Sequence, residues 1–309
     1  MSGDVAVGTS LKKALSALRH PAHEAAAIVA AALLGALLAS GASAADAPSR
    51  PSAGCTVPRL TTGRPVLGRI DVDGQPREYL LDAPETLQPR APVPLLFDFH
   101  GFGHSAAGVW KVSRFRDLAA DAPFLTVYPD GLPVELLGRT DRGWQMFSVD
   151  GNRDLAFVRR LLDELERTYC VDRGRIFATG FSNGAFFTEL LACTMADRFA
   201  AIAPVSGGRV PVACAPPRPV PVLLHHGRND PLIPVAQARL ARDAWARMNG
   251  CQDRAGDACE HYRACRDDAA VEYCEDDGAH HWPLAATRRI WQFFARHPLA
   301  DASERRTER

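Results

Sequence analysis

Ser182 stands in Gly180-Phe181-Ser182-Asn183-Gly184, between the apolar run Arg175-Ile176-Phe177-Ala178-Thr179 and the helix-forming run Ala185–Ala192. A serine on a sharp strand-to-helix turn is a nucleophile elbow, whose glycines let strand and helix close on each other and let a substrate approach. A hydroxyl is a poor nucleophile at neutral pH, so it needs a base within hydrogen-bond reach and a carboxylate to orient that base. Two later stretches offer them. Asp230 lies in His226-Gly227-Arg228-Asn229-Asp230-Pro231, after the apolar run Val220–His225, and His280 and His281 lie in Gly278-Ala279-His280-His281-Trp282-Pro283, after Ala270–Cys274. The order Ser, Asp, His fits an elbow serine. Asp230 before Pro231 would equally suit an Asx-turn. Neighbouring side chains on an extended loop diverge, so only one of the two histidines can face Ser182. A fourth turn, His100-Gly101-Phe102-Gly103, follows Pro94–Phe99. There the Phe102 N–H, with the Asn183 N–H, is expected to hold the oxyanion of a tetrahedral intermediate, with Gly101 bordering the substrate. The chemistry spelled by these residues is acyl transfer through serine, and it calls for no metal.

Such residues must be carried to one place by the elements before them. Val66–Val72 and Arg77–Ala83 flank Asp73-Gly74, a hairpin signal. Pro94–Phe99, Leu125–Tyr128, Arg175–Thr179, Ala200–Val205, Val220–His225 and Ala270–Cys274 are short apolar runs suited to buried strands. Leu155, Val158, Leu161, Leu162 and Leu165 recur at helical spacing within Arg153–Thr168, and Ala285–Ala295 closes the chain as a helix. Strands alternating with helices predict an α/β fold, a mostly parallel central sheet with helices on both faces, in a single domain. Loops at the carboxyl ends of such strands converge on one site. Trp144, on a long loop, and Trp282, beside the histidines, are placed to stack on a flat substrate, or else to pack in the core.

The 309 residues are 47% hydrophobic and 23% charged with no formal net charge, which supplies no cationic excess for a nucleic-acid partner. Lys12, Lys13 and Arg19 precede a charge-free run from Ala25 to Ala45 that ends in Ala42-Ser43-Ala44, so residues 1–44 are expected to be a cleaved signal peptide. The run is just long enough to be an uncleaved anchor instead. Residues 45–58 are rich in Pro, Ala and Ser and are expected to be a disordered linker, residues 59–298 the folded domain and 299–309 a disordered tail. The eight cysteines, 55, 170, 193, 214, 251, 259, 265 and 274, all follow the signal, and in an exported chain they read as disulfides. Local closure suggests Cys193 with Cys214, two bridges among Cys251, Cys259, Cys265 and Cys274, and Cys55 with Cys170. The spacing of the last four does not suit zinc.

Residues 59–298 resemble the secreted serine esterases that include feruloyl esterases, acetylxylan esterases and polyhydroxybutyrate depolymerases. The resemblance rests on Tyr128-Pro129-Asp130-Gly131, Tyr169-Cys170-Val171-Asp172, Gly180–Gly184, Ala203-Pro204-Val205-Ser206-Gly207, His226-Gly227 with Asp230, and His280-x-Trp282-Pro283. It implies an α/β-hydrolase fold, no cofactor, and a substrate ester linked to polysaccharide or forming a polyester. It also implies that His280, the first histidine of the closing motif, is the base; Ala279 stands where the family usually has Gly. The expectation is a monomeric ester hydrolase, extracellular or periplasmic, without nucleic-acid partners or stable membrane association once the signal is removed. The rivals are a serine peptidase on the same scaffold and a non-catalytic binding protein.

Overall fold

The computed structural model describes residues 48–56, 63–88, 90–119, 122–256 and 259–299. The expected signal peptide, part of the linker and most of the tail lie outside the described residues. The elements in chain order are β1 (Val66–Val72), β2 (Gln75–Asp82), β3 (Val93–Phe99), α1 (Ala106–Ser113), α2 (Arg116–Ala119), β4 (Leu125–Pro129), β5 (Leu132–Leu136) and β6 (Arg139–Gly143). They continue with α3 (Arg153–Thr168), β7 (Val171–Phe181), α4 (Asn183–Thr194), β8 (Ala201–Val205), β9 (Val222–Gly227) and α5 (Val235–Asn249). The last are β10 (Asp253–Ala255), β11 (Cys259–Arg263), β12 (Val271–Asp276) and α6 (Leu284–Ala295).

Ten strands form one sheet in the order β1-β2-β4-β3-β7-β8-β9-β12-β11-β10. The pairs from β4 to β12 are parallel and both ends are antiparallel hairpins, so the fold is α/β as expected. Side chains alternate across the central strands. Leu95, Phe97 and Phe99 of β3, with Ile176 and Ala178 of β7, join one core with α3, α4 and α5. Leu96 and Phe177 join the other, with Phe115 and α6. The apolar runs are near-continuous because both faces are covered. Strand order reverses between β3, whose next neighbour in sequence is β4 on one side, and β7 on the other. That switch point is where a crevice opens at the carboxyl ends of the strands.

Three expectations are corrected. Residues 48–56 are not a free linker: Pro51 bridges Asp172, Ser52 Oγ donates to Tyr169 O at 2.8 Å, and Cys55 is bonded to Cys170. The fold therefore begins upstream of residue 59. It also runs to Leu299, which is buried and donates its N–H to Gly174 O. The third correction is the β5–β6 hairpin, a separate two-stranded sheet between β4 and α3, where a long loop was expected. The disulfides are Cys55–Cys170, Cys193–Cys214, Cys251–Cys265 and Cys259–Cys274, which fixes the pairing that spacing left open within the last four cysteines.

Asp98, on the α6-side face of β3, is fully buried and burial pushes its carboxyl up to about 8. An unfolded aspartate titrates near 3.9. The folded state thus keeps a proton that the unfolded chain releases, and stability falls as pH rises between about 4 and 8. Asp98→Asn imitates the protonated form. It should raise the melting temperature relative to wild type more at pH 8 than at pH 5, and an equal difference at both would refute the assignment.

Candidate active site

Ser182 sits between β7 and α4 with φ 57° and ψ −117°, a conformation uncommon for a residue with a Cβ. The surroundings enforce it. The Ser182 N–H donates to Val205 O of β8, while its carbonyl accepts from Ala185 and Phe186 of α4. A side chain at Gly184 would collide with the carbonyl oxygen of Phe99, so only glycine lets α4 start this close to β3. The hydroxyl-bearing residue is partly exposed.

Asp230 and His280 are brought together. His280 Nδ1–H donates to Asp230 Oδ2 at 2.6 Å. Asp230 Oδ1 meanwhile accepts the N–H groups of Leu232 and Ile233, both at 2.9 Å. The Asx-turn and the histidine contact therefore coexist, one on each oxygen. Burial pushes the Asp230 carboxyl up, but the Ile233 N–H, His280 and the Leu232 N–H pull it below the usual carboxylate range. It is ionised at neutral pH. The His280 ring rests 4.8 Å from that of Phe181, the residue before Ser182. His281 points elsewhere: its Nδ1 donates to Ala279 O, Nε2 is 3.7 Å from Asp276, and its carbonyl accepts from Ser206 Oγ. His226 Nε2 lies 3.5 Å from Asp230 Oδ2, yet it donates to Ile233 O at 2.8 Å and is buried.

The His100–Gly103 turn is built from inside. Burial holds His100 down to about 4, so its ring is neutral. Its Nδ1–H donates to Gly101 O at 2.7 Å, and Nε2 accepts the Gly131 N–H at 2.9 Å. His104 N–H also binds Gly101 O. In a trans peptide C=O and N–H point in opposite directions, so pinning Gly101 O aims the Phe102 N–H away from the imidazole. A Cβ on Gly101 would stand 3.3 Å from Ser182 Cβ, which places this turn against the elbow.

Both tryptophans take the core-packing alternative, which corrects the substrate-binding role for Trp144 and Trp282. Trp144 is buried, its ring stacked on Phe187 at 5.1 Å and edge-on to Phe99. Trp282 is buried against Phe115 and donates to Thr287 Oγ1. Both indoles have ended in cores because their polar N–H found a partner there. Trp144 instead works as a clamp. Its Nε1–H donates to His100 O at 2.8 Å, its backbone N–H donates to Asn183 Oδ1 at 2.7 Å, and Asn183 Nδ2 returns a bond to Trp144 O. One residue thus ties the turn after β3 to the residue after Ser182.

The β5–β6 hairpin, which no apolar run announces, shapes this corner. Gly103 N–H donates to Arg142 O at 2.8 Å, and Arg142 pairs with Asp130 at 3.3 Å. A Cβ at Gly143 would stand 2.9 Å from Asn183 Oδ1 and 3.1 Å from the Phe102 ring, so glycine lets the hairpin close on both. Leu137 and Gly138 at its tip both have positive φ. That tip turn is the one legible signal, obscured because Arg139, Asp141 and Arg142 make β6 too polar to read as a strand. A hydroxyl on a strained turn, a histidine–carboxylate pair and inward-held N–H groups can together carry out acyl transfer.

Residues 141–263 match the family described as Phospholipase/Carboxylesterase. Feruloyl esterase D of Neurospora crassa is 27% identical over 289 residues, spanning 84% of this chain and 95% of that protein. Probable feruloyl esterase C of Aspergillus terreus is 30% identical over 207 residues, spanning 65% of this chain and 70% of that protein. Among solved structures, the acetyl xylan esterase from Aspergillus awamori aligns with a TM-score of 0.60 at 16% identity, over 74% of this chain and 99% of that one. At that identity the likeness is one of fold.

Proposed function

Because the chain belongs to the feruloyl esterase family of α/β-hydrolases, and is a carboxylic ester hydrolase, we propose that it acts through an acyl-enzyme on Ser182, on feruloyl or acetyl esters of plant polysaccharide. The observation that carries the mechanism is the 2.6 Å bond between His280 Nδ1 and an ionised Asp230, with the His280 ring 4.8 Å from that of Phe181, the residue before Ser182. Asp230 fixes the tautomer that leaves His280 Nε2 free to accept a proton. His280 takes the Ser182 proton as Oγ attacks the ester carbonyl. The Phe102 and Asn183 N–H groups hold the resulting oxyanion. His280 then returns the proton to the departing alcohol, and water releases the acid by the same route in reverse. Relatives named feruloyl esterase and acetylxylan esterase support the choice of ester. A panel of methyl ferulate, acetylated xylan and polyhydroxybutyrate tests it: turnover of the polyester alone would overturn the polysaccharide reading.

Four disulfides suit an oxidising compartment, which supports export. Among the described residues no helix is long and apolar enough to cross a membrane.

The Trp144 clamp makes a prediction for this mechanism. Trp144→Phe keeps an aromatic ring against Phe187 and Phe99 but removes the N–H that satisfies His100 O. An orphaned buried carbonyl costs about 1–3 kcal/mol. With the oxyanion turn loosened, kcat should fall by about tenfold while KM stays within about twofold, since the donors act on charge that develops only in the transition state. Calorimetric melting and steady-state kinetics well below the melting temperature measure both. An undiminished kcat would reject the clamp as a positioning device.

A further inference from the structure

We propose that Thr287 is a positioning residue for the general base, its hydroxyl joining the loop that carries His280 to the helix that follows the oxyanion turn; this rests on the serine esterase reading of the site. Thr287 lies in the first turn of α6 and is buried. Its Oγ1 accepts the Trp282 Nε1–H at 2.9 Å and donates at 2.6 Å to the carbonyl of Ser113, the last residue of α1.

A threonine in a helix has a nearer partner than either of these, because its hydroxyl commonly bonds the carbonyl one turn back. Thr188 and Thr194 of α4 do so, to Gly184 O and Leu190 O, both at 2.8 Å. Thr287 turns instead to a carbonyl 174 residues away in sequence. That carbonyl needs a donor, since the last four C=O groups of a helix have no partner within it. Ser113 is fully buried, so bulk water does not reach it, and the Trp282 indole is buried as well. One hydroxyl, donor to the first and acceptor from the second, satisfies both.

Both ends of this link lead into the catalytic machinery. At one end, α1 starts just after the His100–Gly103 turn, and its start is fixed: Ser105 Oγ accepts the Gly108 N–H, and Asp130 Oδ1 accepts the Ala106 N–H at 3.0 Å. At the other end, Trp282 stands two residues after His280. Only two side-chain torsions separate its indole from the backbone, and Pro283 restricts that backbone further, so holding the ring holds the loop. His280 keeps its 2.6 Å bond to Asp230 only while the loop stays in place. Ser206 Oγ, donating to His281 O at 3.0 Å, secures the loop from the end of β8. Thr287 secures it from the oxyanion side. A shift of about 1 Å in a reacting group can cost on the order of 10²-fold in rate.

The test takes Thr287→Val, which keeps the branched shape and removes both bonds, and Thr287→Ser, which keeps the hydroxyl. On methyl ferulate, well below the melting temperature, Thr287→Val should lower kcat by about tenfold with KM within about twofold, and Thr287→Ser should stay within about twofold of wild type in both. A general loosening of the fold would also lower kcat, so Thr287→Val is repeated on His280→Ala. With the base gone there is nothing for Thr287 to position, and the residual rate should fall no further. An undiminished kcat in Thr287→Val, a serine variant as slow as the valine one, or the same tenfold loss on the His280→Ala background would each overturn the inference. If the valine variant does not fold, Trp282→Phe replaces it in the same cycle with the same expectation, since it keeps a ring against Phe115 and loses the N–H that meets Thr287. Failure of the parent reading looks different: His280→Ala alone then retains hydrolysis, whatever Thr287 does, and the inference falls with it.

Discussion

Ser182→Ala loses ester hydrolysis by about 10⁶-fold in kcat, the scale on which removal of a triad nucleophile acts. The residual rate over water comes from the oxyanion donors and from substrate binding, neither of which involves the hydroxyl. The fold should survive, because alanine meets the same positive-φ cost as serine at φ 57°, and no side-chain cap to α4 is lost. The melting temperature should therefore move little while activity disappears. A fluorophosphonate probe should add its phosphonyl group to the wild type at Ser182 and leave the alanine variant unmodified, as read by intact mass and peptide mapping. Robust labelling of the variant, or ester turnover within about a hundredfold of wild type, would place the nucleophile elsewhere.

Apolar runs, leucines at helical spacing and the Asp73-Gly74 turn are what the sequence announces. Val93–Phe99, Leu125–Pro129 and Ala201–Val205 are short apolar runs, and Arg153–Thr168 carries leucines at helical spacing, so each is found within a residue or two of its place. The elements missed are those whose pattern is polar or small. β10 is wholly exposed and β11 only half-buried, as suits charged strands at a sheet edge. α5 buries Ala238 and Ala241 beside Trp245, a stripe of little hydrophobic contrast among its arginines.

For the site, the loops were legible because motif and chain order place Ser182, Asp230 and His280 at the ends of β7, β9 and β12. The tryptophans were not. A ring with one polar atom suits a binding face and a core equally, and only the partners, His100 O for Trp144 and Thr287 Oγ1 for Trp282, decide between them. Residues 48–56 failed for a related reason. Their Pro, Ala and Ser content is that of a linker, and what orders them is a long-range set of contacts: a bridge from Pro51 to Asp172, Ser52 on Tyr169 O and the Cys55–Cys170 bond.

The adjacent histidines carry the last prediction. His280→Ala should match Ser182→Ala in severity, about 10⁶-fold, because base and nucleophile act as one unit. His281 should not rescue it. To reach Ser182 the His281 ring would have to leave Ala279 O and the Asp276 side, and the backbone is held against that movement. The His281 carbonyl accepts from Ser206 Oγ, Trp282 is buried against Phe115, and Pro283 restricts Trp282 at the entrance to α6. Asp230 is committed as well, with Oδ1 on two backbone N–H groups and Oδ2 on His280. His281→Ala removes an exposed ring whose own backbone contact to Ser206 persists, so its effect should stay within about tenfold in KM, about 1.4 kcal/mol, with kcat retained. Kinetics of both variants on methyl ferulate decide the assignment. An inactive His281→Ala beside an active His280→Ala would reverse it, and comparable partial losses would mean that neither ring alone serves as the base.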